Sequence, residues 1–137
     1  MSTLAIVDAG PLYAAADADD EYHAACLATL ARPDLRLVLA AMAVAEATYF
    51  VGTRLGPAAE RSFLAGMRDL DVEGPNGEDF ARMAELVERY QDWPLGGTDA
   101  SIVALAERLQ APAIVTLDHR HFAAVRPRHC EAFELLP

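Results

Sequence analysis

An unbroken apolar run, Leu4-Ala5-Ile6-Val7, stops at Asp8-Ala9-Gly10-Pro11. A short run of this kind, closed by turn-forming residues, reads as a buried strand running into a turn. Leu12 to Ala16 supplies one helical turn. Asp20 can cap a helix running to about Ala31, with Tyr22, Cys26, Leu27 and Leu30 on one face. Pro33-Asp34 breaks it, and Arg36 to Leu39 is a second strand. Met42 to Leu55 reads as a helix stopped by Gly56-Pro57. Another runs from Pro57, a favoured first helical residue, to about Asp69. Leu70 to Glu73 is a short strand and Pro75-Asn76-Gly77 a turn. The helix that follows, to about Gln91, should bury Phe80, Met83, Leu86, Val87 and Tyr90. After a loop at Trp93-Pro94-Leu95-Gly96-Gly97, Thr98 or Asp99 caps a helix ending near Gln110. Ala113 to Leu117 is a strand that delivers Asp118, and Phe133 to Leu136 closes the chain as a last strand.

Strands alternating with helices predict an α/β domain whose mainly parallel sheet is covered on both faces. In such sheets ligands gather at the carboxyl ends of strands, near the switch in strand order. Asp8 and Asp118 each stand at such an end.

Length sharpens this reading: 137 residues without repeat or linker make one domain over residues 1–137. The 53% apolar fraction is ample for a core. Cys26 and Cys130 have no metal-ligand spacing; they could form one bridge, but buried free thiols of a reducing compartment are expected. Leu37 to Val51 is the longest apolar stretch, but it is short for a bilayer and carries Glu46. With no basic-then-apolar leader at the start, a cytoplasmic protein without a membrane span is expected.

Charge changes the picture more. The net charge is −10, and no lysine accompanies the arginines. Such a surface argues against loose binding to long nucleic acid and favours a cationic partner or a bound metal. Arginine can still grip a phosphate locally through its planar fork.

The acids themselves carry the chemistry. Asp8 and Asp118 at strand ends, and Asp99 at a helix start, each have an ordinary reading as turn or cap residues. Glu46 does not: its helical neighbours Met42, Ala43, Tyr49 and Phe50 are uncharged. An acid there needs an arginine partner, a shifted pKa or a function. Brought together, these carboxylates would repel and stay protonated unless a divalent cation neutralised them. Hard oxygen ligands select Mg2+ or Mn2+, and no His or Cys cluster competes. A site of this kind suits attack of water on a phosphodiester.

In this order the motifs resemble a known family. Ile6-Val7-Asp8-Ala9-Gly10-Pro11-Leu12, Thr98-Asp99-Ala100-Ser101-Ile102-Val103-Ala104-Leu105-Ala106 and Ile114-Val115-Thr116-Leu117-Asp118 with Phe122 are similar to motifs of PIN-domain toxins of the VapC type. Glu46, preceded by Ala45, matches that family's second acid. The resemblance spans nearly the whole chain. It implies a three-layer α/β/α sandwich, a Mg2+-dependent endoribonuclease that Mn2+ can also serve, and an antitoxin encoded alongside. It places metal ligands at Asp8 and Asp99, with Glu46 and Asp118 completing the catalytic acids. Thr116 matches a hydroxyl position that can orient water or a carboxylate. Met42-Ala43 departs from the family, where a small hydroxyl residue often precedes the second acid. A toxin that cuts one structured RNA, and an antitoxin with basic side chains, both accommodate the acidic surface.

Around these residues, His119 and His121 read as exposed loop positions. Arg120 is a candidate phosphate contact, and Trp93 either stacks on an RNA base or packs in a core or dimer. Tyr13 and Tyr49 read as packing residues. The apolar helices Glu21–Ala31 and Met42–Leu55 leave room for a homodimer face. A metal-dependent phosphatase would also place aspartates at strand ends, but its usual forms need a lysine. A catalytically inactive PIN-like module acting through protein binding is the other alternative, against which the retained acids stand.

Overall fold

Val, Ile, Leu and Ala in unbroken runs are at home in parallel strands covered on both faces. The computed structural model describes residues 2–137. In it β1 (Thr3–Val7), β2 (Leu35–Ala40), β3 (Val72–Glu73), β4 (Ala113–Val115) and β5 (Glu134–Leu136) form one five-stranded sheet, ordered β3-β2-β1-β4-β5. Every pairing is parallel, so the mainly parallel expectation becomes an all-parallel sheet. The helices are α1 (Ala9–Ala16), α2 (His23–Leu30), α3 (Ala41–Leu55), α4 (Pro57–Met67), α5 (Gly77–Arg89), α6 (Gly97–Leu109) and α7 (His119–Ala124). They cover the sheet as an α/β/α sandwich. None among the described residues is long and apolar enough to cross a membrane.

The core is built on small residues. Ala5, Ile6 and Val7 of β1 and Ala113, Ile114 and Val115 of β4 are fully buried, and Ala43 and Ala47 turn α3 inward. Ala100 to Ala106 of α6 are all buried, as expected of a helix that is apolar all round. Alanine lets these helices approach closely. Gly56, at φ 93°, makes the break between α3 and α4 where a side chain would be strained.

Several expectations need correction. α1 starts at Ala9 and not at Leu12, because the Asp8 carboxylate caps it. Asp20 does not cap α2; its carboxylate takes the Tyr22 N–H at 2.8 Å in a local turn, and the helix begins at His23. On α2, Cys26 and Thr29 face inward while Leu27, like Tyr22 just before the helix, is exposed. On α5, Met83 and Leu86 are buried, but Phe80 and Val87 are exposed. Packing against α6 chooses the stripe containing Asp79, Met83 and Leu86, with Arg108 holding Asp79 at 2.9 Å and Arg82 holding Glu107 at 2.8 Å. α6 is capped by Gly96, not by Thr98 or Asp99. Three strands are shorter than expected: β3 begins at Val72 without Leu70 and Asp71, β4 stops at Val115, and β5 begins at Glu134. Tyr13 packs in the core, whereas Tyr49 is 64% exposed and only leans edge-on against Phe50. Both cysteines are free, but Cys130 is only half-buried.

Candidate functional site

Strand order reverses at β1: the chain proceeds from it to β2 and β3 on one side, then to β4 and β5 on the other. The crevice outside the carboxyl ends of β1 and β4 is therefore the switch point where ligands gather in such sheets. Register does the rest. Val7 stands opposite Val115, so the next residues, Asp8 and Thr116, meet across the strand pair.

That meeting fixes Asp8. Its N–H continues the ladder to the Val115 carbonyl at 2.9 Å. One carboxylate oxygen accepts the Ala9 N–H at 2.7 Å, and the other accepts the Thr116 hydroxyl at 2.8 Å. The same Thr116 oxygen accepts the Asp118 N–H at 2.9 Å. Thr116 thus links two acids and is wholly buried. Burial pushes the Asp8 carboxyl above its ordinary value, and the charge of Asp118 adds to this, against the bonds from Thr116 and Ala9.

Asp99 occupies the third position of α6 and points from its first turn. Burial is the main cause that pushes its carboxyl up to about 6, with the charges of Asp8, Asp118 and Glu46 adding and His121 opposing. Glu46 comes from α3, which follows directly on β2. No arginine pairs with it among the described residues, so the ion-pair reading of this acid falls. Burial, then the charge of Asp8, raises its carboxyl. All of the sequence-predicted acids therefore share one electrostatic pocket at one end of the sheet.

Carboxylates that raise one another fit a divalent cation, and their hard oxygens fit Mg2+ or Mn2+. Among the described residues no group of His, Cys, Asp and Glu side chains forms a ready-made cage. An open carboxylate set of this sort suits Mg2+, which keeps several of its waters.

The rim holds what the sequence reading missed. His119 and His121 lie in α7, not in a loop. His121 donates from Nδ1 to the Asp118 carboxylate, whose oxygens are 2.8 and 2.9 Å away. Asp118 also accepts the His121 N–H and so caps α7. His119 donates to the Thr116 carbonyl at 3.1 Å. The Trp93 ring lies 5.5 Å from that of His121, and the Arg120 guanidinium sits over Trp93 at 4.6 Å. The capping grip of His121 had a local signal, an acid three residues before a histidine at a helix start. The Trp93 contacts had none, since they join a loop to a helix beyond the next strand.

Comparison with known proteins agrees with this fold. A model of the PIN domain family matches residues 5–126. The chain is 36% identical over 137 residues to Ribonuclease VapC26 of Mycobacterium tuberculosis (strain ATCC 25618 / H37Rv), covering 96% of this chain and 99% of the relative. Among solved structures, Mycobacterium tuberculosis VapC20, a Sarcin-Ricin loop cleaving toxin, superposes with a TM-score of 0.80 at 18% identity, over 89% of this chain and 95% of its own. VapBC2 from Rickettsia felis, bound to a DNA fragment from its promoter, gives 0.71 at 17% identity, over 98% of this chain and all of its matched chain (100%).

Proposed function

The chain belongs to the PIN-domain family, and from that premise we propose that it is a Mg2+-dependent endoribonuclease acting as the toxin of a toxin–antitoxin pair. The observation that carries the reading is the convergence of Asp8, Glu46, Asp99 and Asp118 at the switch point, without an arginine among them to neutralise their charge. The near-full-length likeness to a ribonuclease supports it. When bound, a divalent cation supplies charge that steadies the phosphoryl oxygens and makes a water nucleophilic at neutral pH.

The chain's own residues hold that chemistry in place. Asp8, fixed through both oxygens by Ala9 and Thr116, and Asp99, fixed by the first turn of α6, are the direct ligands. Glu46 has a longer side chain and Asp118 already accepts bonds from His121, so both act from the outer side of the pocket. Thr116 positions Asp8 against Asp118 and does not itself react. Mn2+ meets the same ligand set. An antitoxin with basic side chains matches the net charge of −10. Tyr22 and Leu27 on α2, with Tyr49 and Leu55 on α3, leave exposed apolar surface for a homodimer face.

Purified protein should cut RNA with Mg2+ or Mn2+, stop in EDTA, and resume when Mg2+ is restored. Asp99→Asn should lower the rate by on the order of 10^3-fold, while circular dichroism stays that of the folded chain. Full cleavage in EDTA would exclude the metal reading. An Asp99→Asn protein as active as wild type would exclude that ligand.

A further inference from the structure

An acidic pocket repels the polyanion it is proposed to cut, so some cation must receive the strand at its rim. Four arginines are already engaged: Arg32, Arg82, Arg108 and Arg128 each pair with a carboxylate. Arg120 is exposed, stands two residues beyond Asp118, and has no carboxylate partner among the described residues. Its contact is with Trp93, whose ring lies 4.6 Å beneath the guanidinium. Stacking of this kind uses the flat face of the guanidinium and leaves its in-plane N–H fork free, the geometry that matches two phosphate oxygens. It also holds a long side chain in one orientation before any ligand arrives, so less freedom is lost on binding.

Trp93 is tied to the site from its other side. Its ring lies 5.5 Å from His121, whose Nδ1 grips the Asp118 carboxylate at 2.8 Å. The indole Nε1–H is buried without a hydrogen-bond partner, so this position uses the ring and not its polar edge. Arg120 covers ring surface that an unpaired base would need.

We propose that Trp93 and Arg120 form a phosphate-holding arm at the rim of the acidic pocket, with Arg120 binding a backbone phosphate of the RNA strand and Trp93 acting as the positioning residue that aims it. This rests on the nuclease reading and gives that site a sequence-independent hold on single-stranded RNA. The arm adds a local cation where the surrounding surface is acidic. Its contribution is therefore to binding rather than to the chemical step.

The test uses fluorescein-labelled oligouridine, with anisotropy titrations in Ca2+ across a salt series, beside Mg2+-dependent cleavage of RNA by the same proteins. Arg120→Ala should weaken binding about tenfold and flatten the slope of log affinity against log salt by about 0.7, the loss of one single-strand phosphate contact. Trp93→Ala should match Arg120→Ala, and the double variant should be no worse, because both remove one interaction. Trp93→Phe should keep most of the affinity. Arg61→Ala, removing an exposed arginine of α4, should change neither quantity. Trp93 is also the chain's one tryptophan, so its own emission should change as the oligomer saturates wild type. An unchanged salt slope in Arg120→Ala, or no binding of oligouridine by wild type at low salt, overturns the arm. So does a Trp93→Ala loss that keeps the full slope, which would mean direct stacking on a base. If wild type cleaves RNA and Arg120→Ala binds normally, the arm fails and the nuclease reading stands. If the predicted losses appear without any Mg2+-dependent cleavage, the reverse holds.

Discussion

Two groups of charged side chains lie partly buried in this molecule, and they are built on opposite rules. Along the α5–α6 seam, each inward acid has its arginine: Glu107 with Arg82 at 2.8 Å, and Asp79 with Arg108 at 2.9 Å. Burial alone would raise the Glu107 carboxyl, yet bonds from Arg82 and from the Arg128 backbone, with the charge of Arg82, bring it below its ordinary value. At the switch point the acids face one another, and Asp8, Glu46 and Asp99 are all raised. One group spends its charge on holding two helices together. The other leaves its charge without a counter-charge among the described residues, at a cost to the fold, a pattern common at functional sites.

The largest effect that would break this contrast lies in the seam. Arg82 and Glu107 are 10% and 9% exposed at their side chains. Arg82→Ala leaves Glu107 largely desolvated with only the Arg128 N–H to hold it, and should cost about 3 kcal/mol of stability in urea unfolding. A loss under about 0.5 kcal/mol would show that the pair only decorates the surface.

At the site the sign reverses. Between the ordinary aspartate value of 3.8 and about 6, the folded chain holds a proton on Asp99 that the unfolded chain has released. The contribution of Asp99 to the stability of the metal-free protein is therefore fully present below this window and is lost as pH rises through it. Asp99→Asn removes that decline and should stabilise the metal-free fold at pH 7.5 by about 1 kcal/mol, since water reaching this partly open position screens the charge. Unfolding curves at a series of pH values, in EDTA, give both quantities. A flat wild-type profile would mean that Asp99 carries no such strain.

Metal should discriminate within the site. Asp8→Asn and Asp99→Asn are each expected to weaken Mn2+ binding in calorimetry by more than tenfold, about 1.4 kcal/mol or more. Asp118→Asn, acting from the outer side, should weaken it less. If Asp118→Asn lost Mn2+ while Asp8→Asn kept it, the metal would sit against β4 and the ligand assignment would change. The smallest effect returns to the seam. Arg128 and Glu85 pair at 2.9 Å, but both are more than half exposed. Arg128→Ala should move stability by less than about 0.5 kcal/mol.

Much of this was legible because local pattern and global position coincide in parallel sheets. The runs Leu4-Ala5-Ile6-Val7 and Ala113-Ile114-Val115-Thr116-Leu117 announce buried strands, and an acid following such a strand is placed at a carboxyl end whatever the rest of the chain does. Glu46 was legible through a mismatch, an acid among uncharged helical neighbours. What failed were choices made between elements. Phe80 and Val87 fit a helical apolar stripe as well as Met83 and Leu86 do, and the ion pairs Arg108–Asp79 and Arg82–Glu107 mark the stripe that meets α6. The contacts of Trp93 with His121 and Arg120 depend on how a loop settles over α7, which periodicity cannot express.

The hydrogen bond from Thr116 to Asp8 joins residues 108 positions apart. A connection of that span makes the site slow to assemble, since the chain must close a long loop before β1 and β4 can reward it. It also orders events during synthesis, which proceeds from the N-terminus. Asp8, Glu46 and Asp99 are all translated before the strand that aligns the first of them exists. A nascent chain on the ribosome thus carries three of the four clustered acids without the hydroxyl that seats the first of them, and the acidic cluster is complete only once the fourth strand has been made.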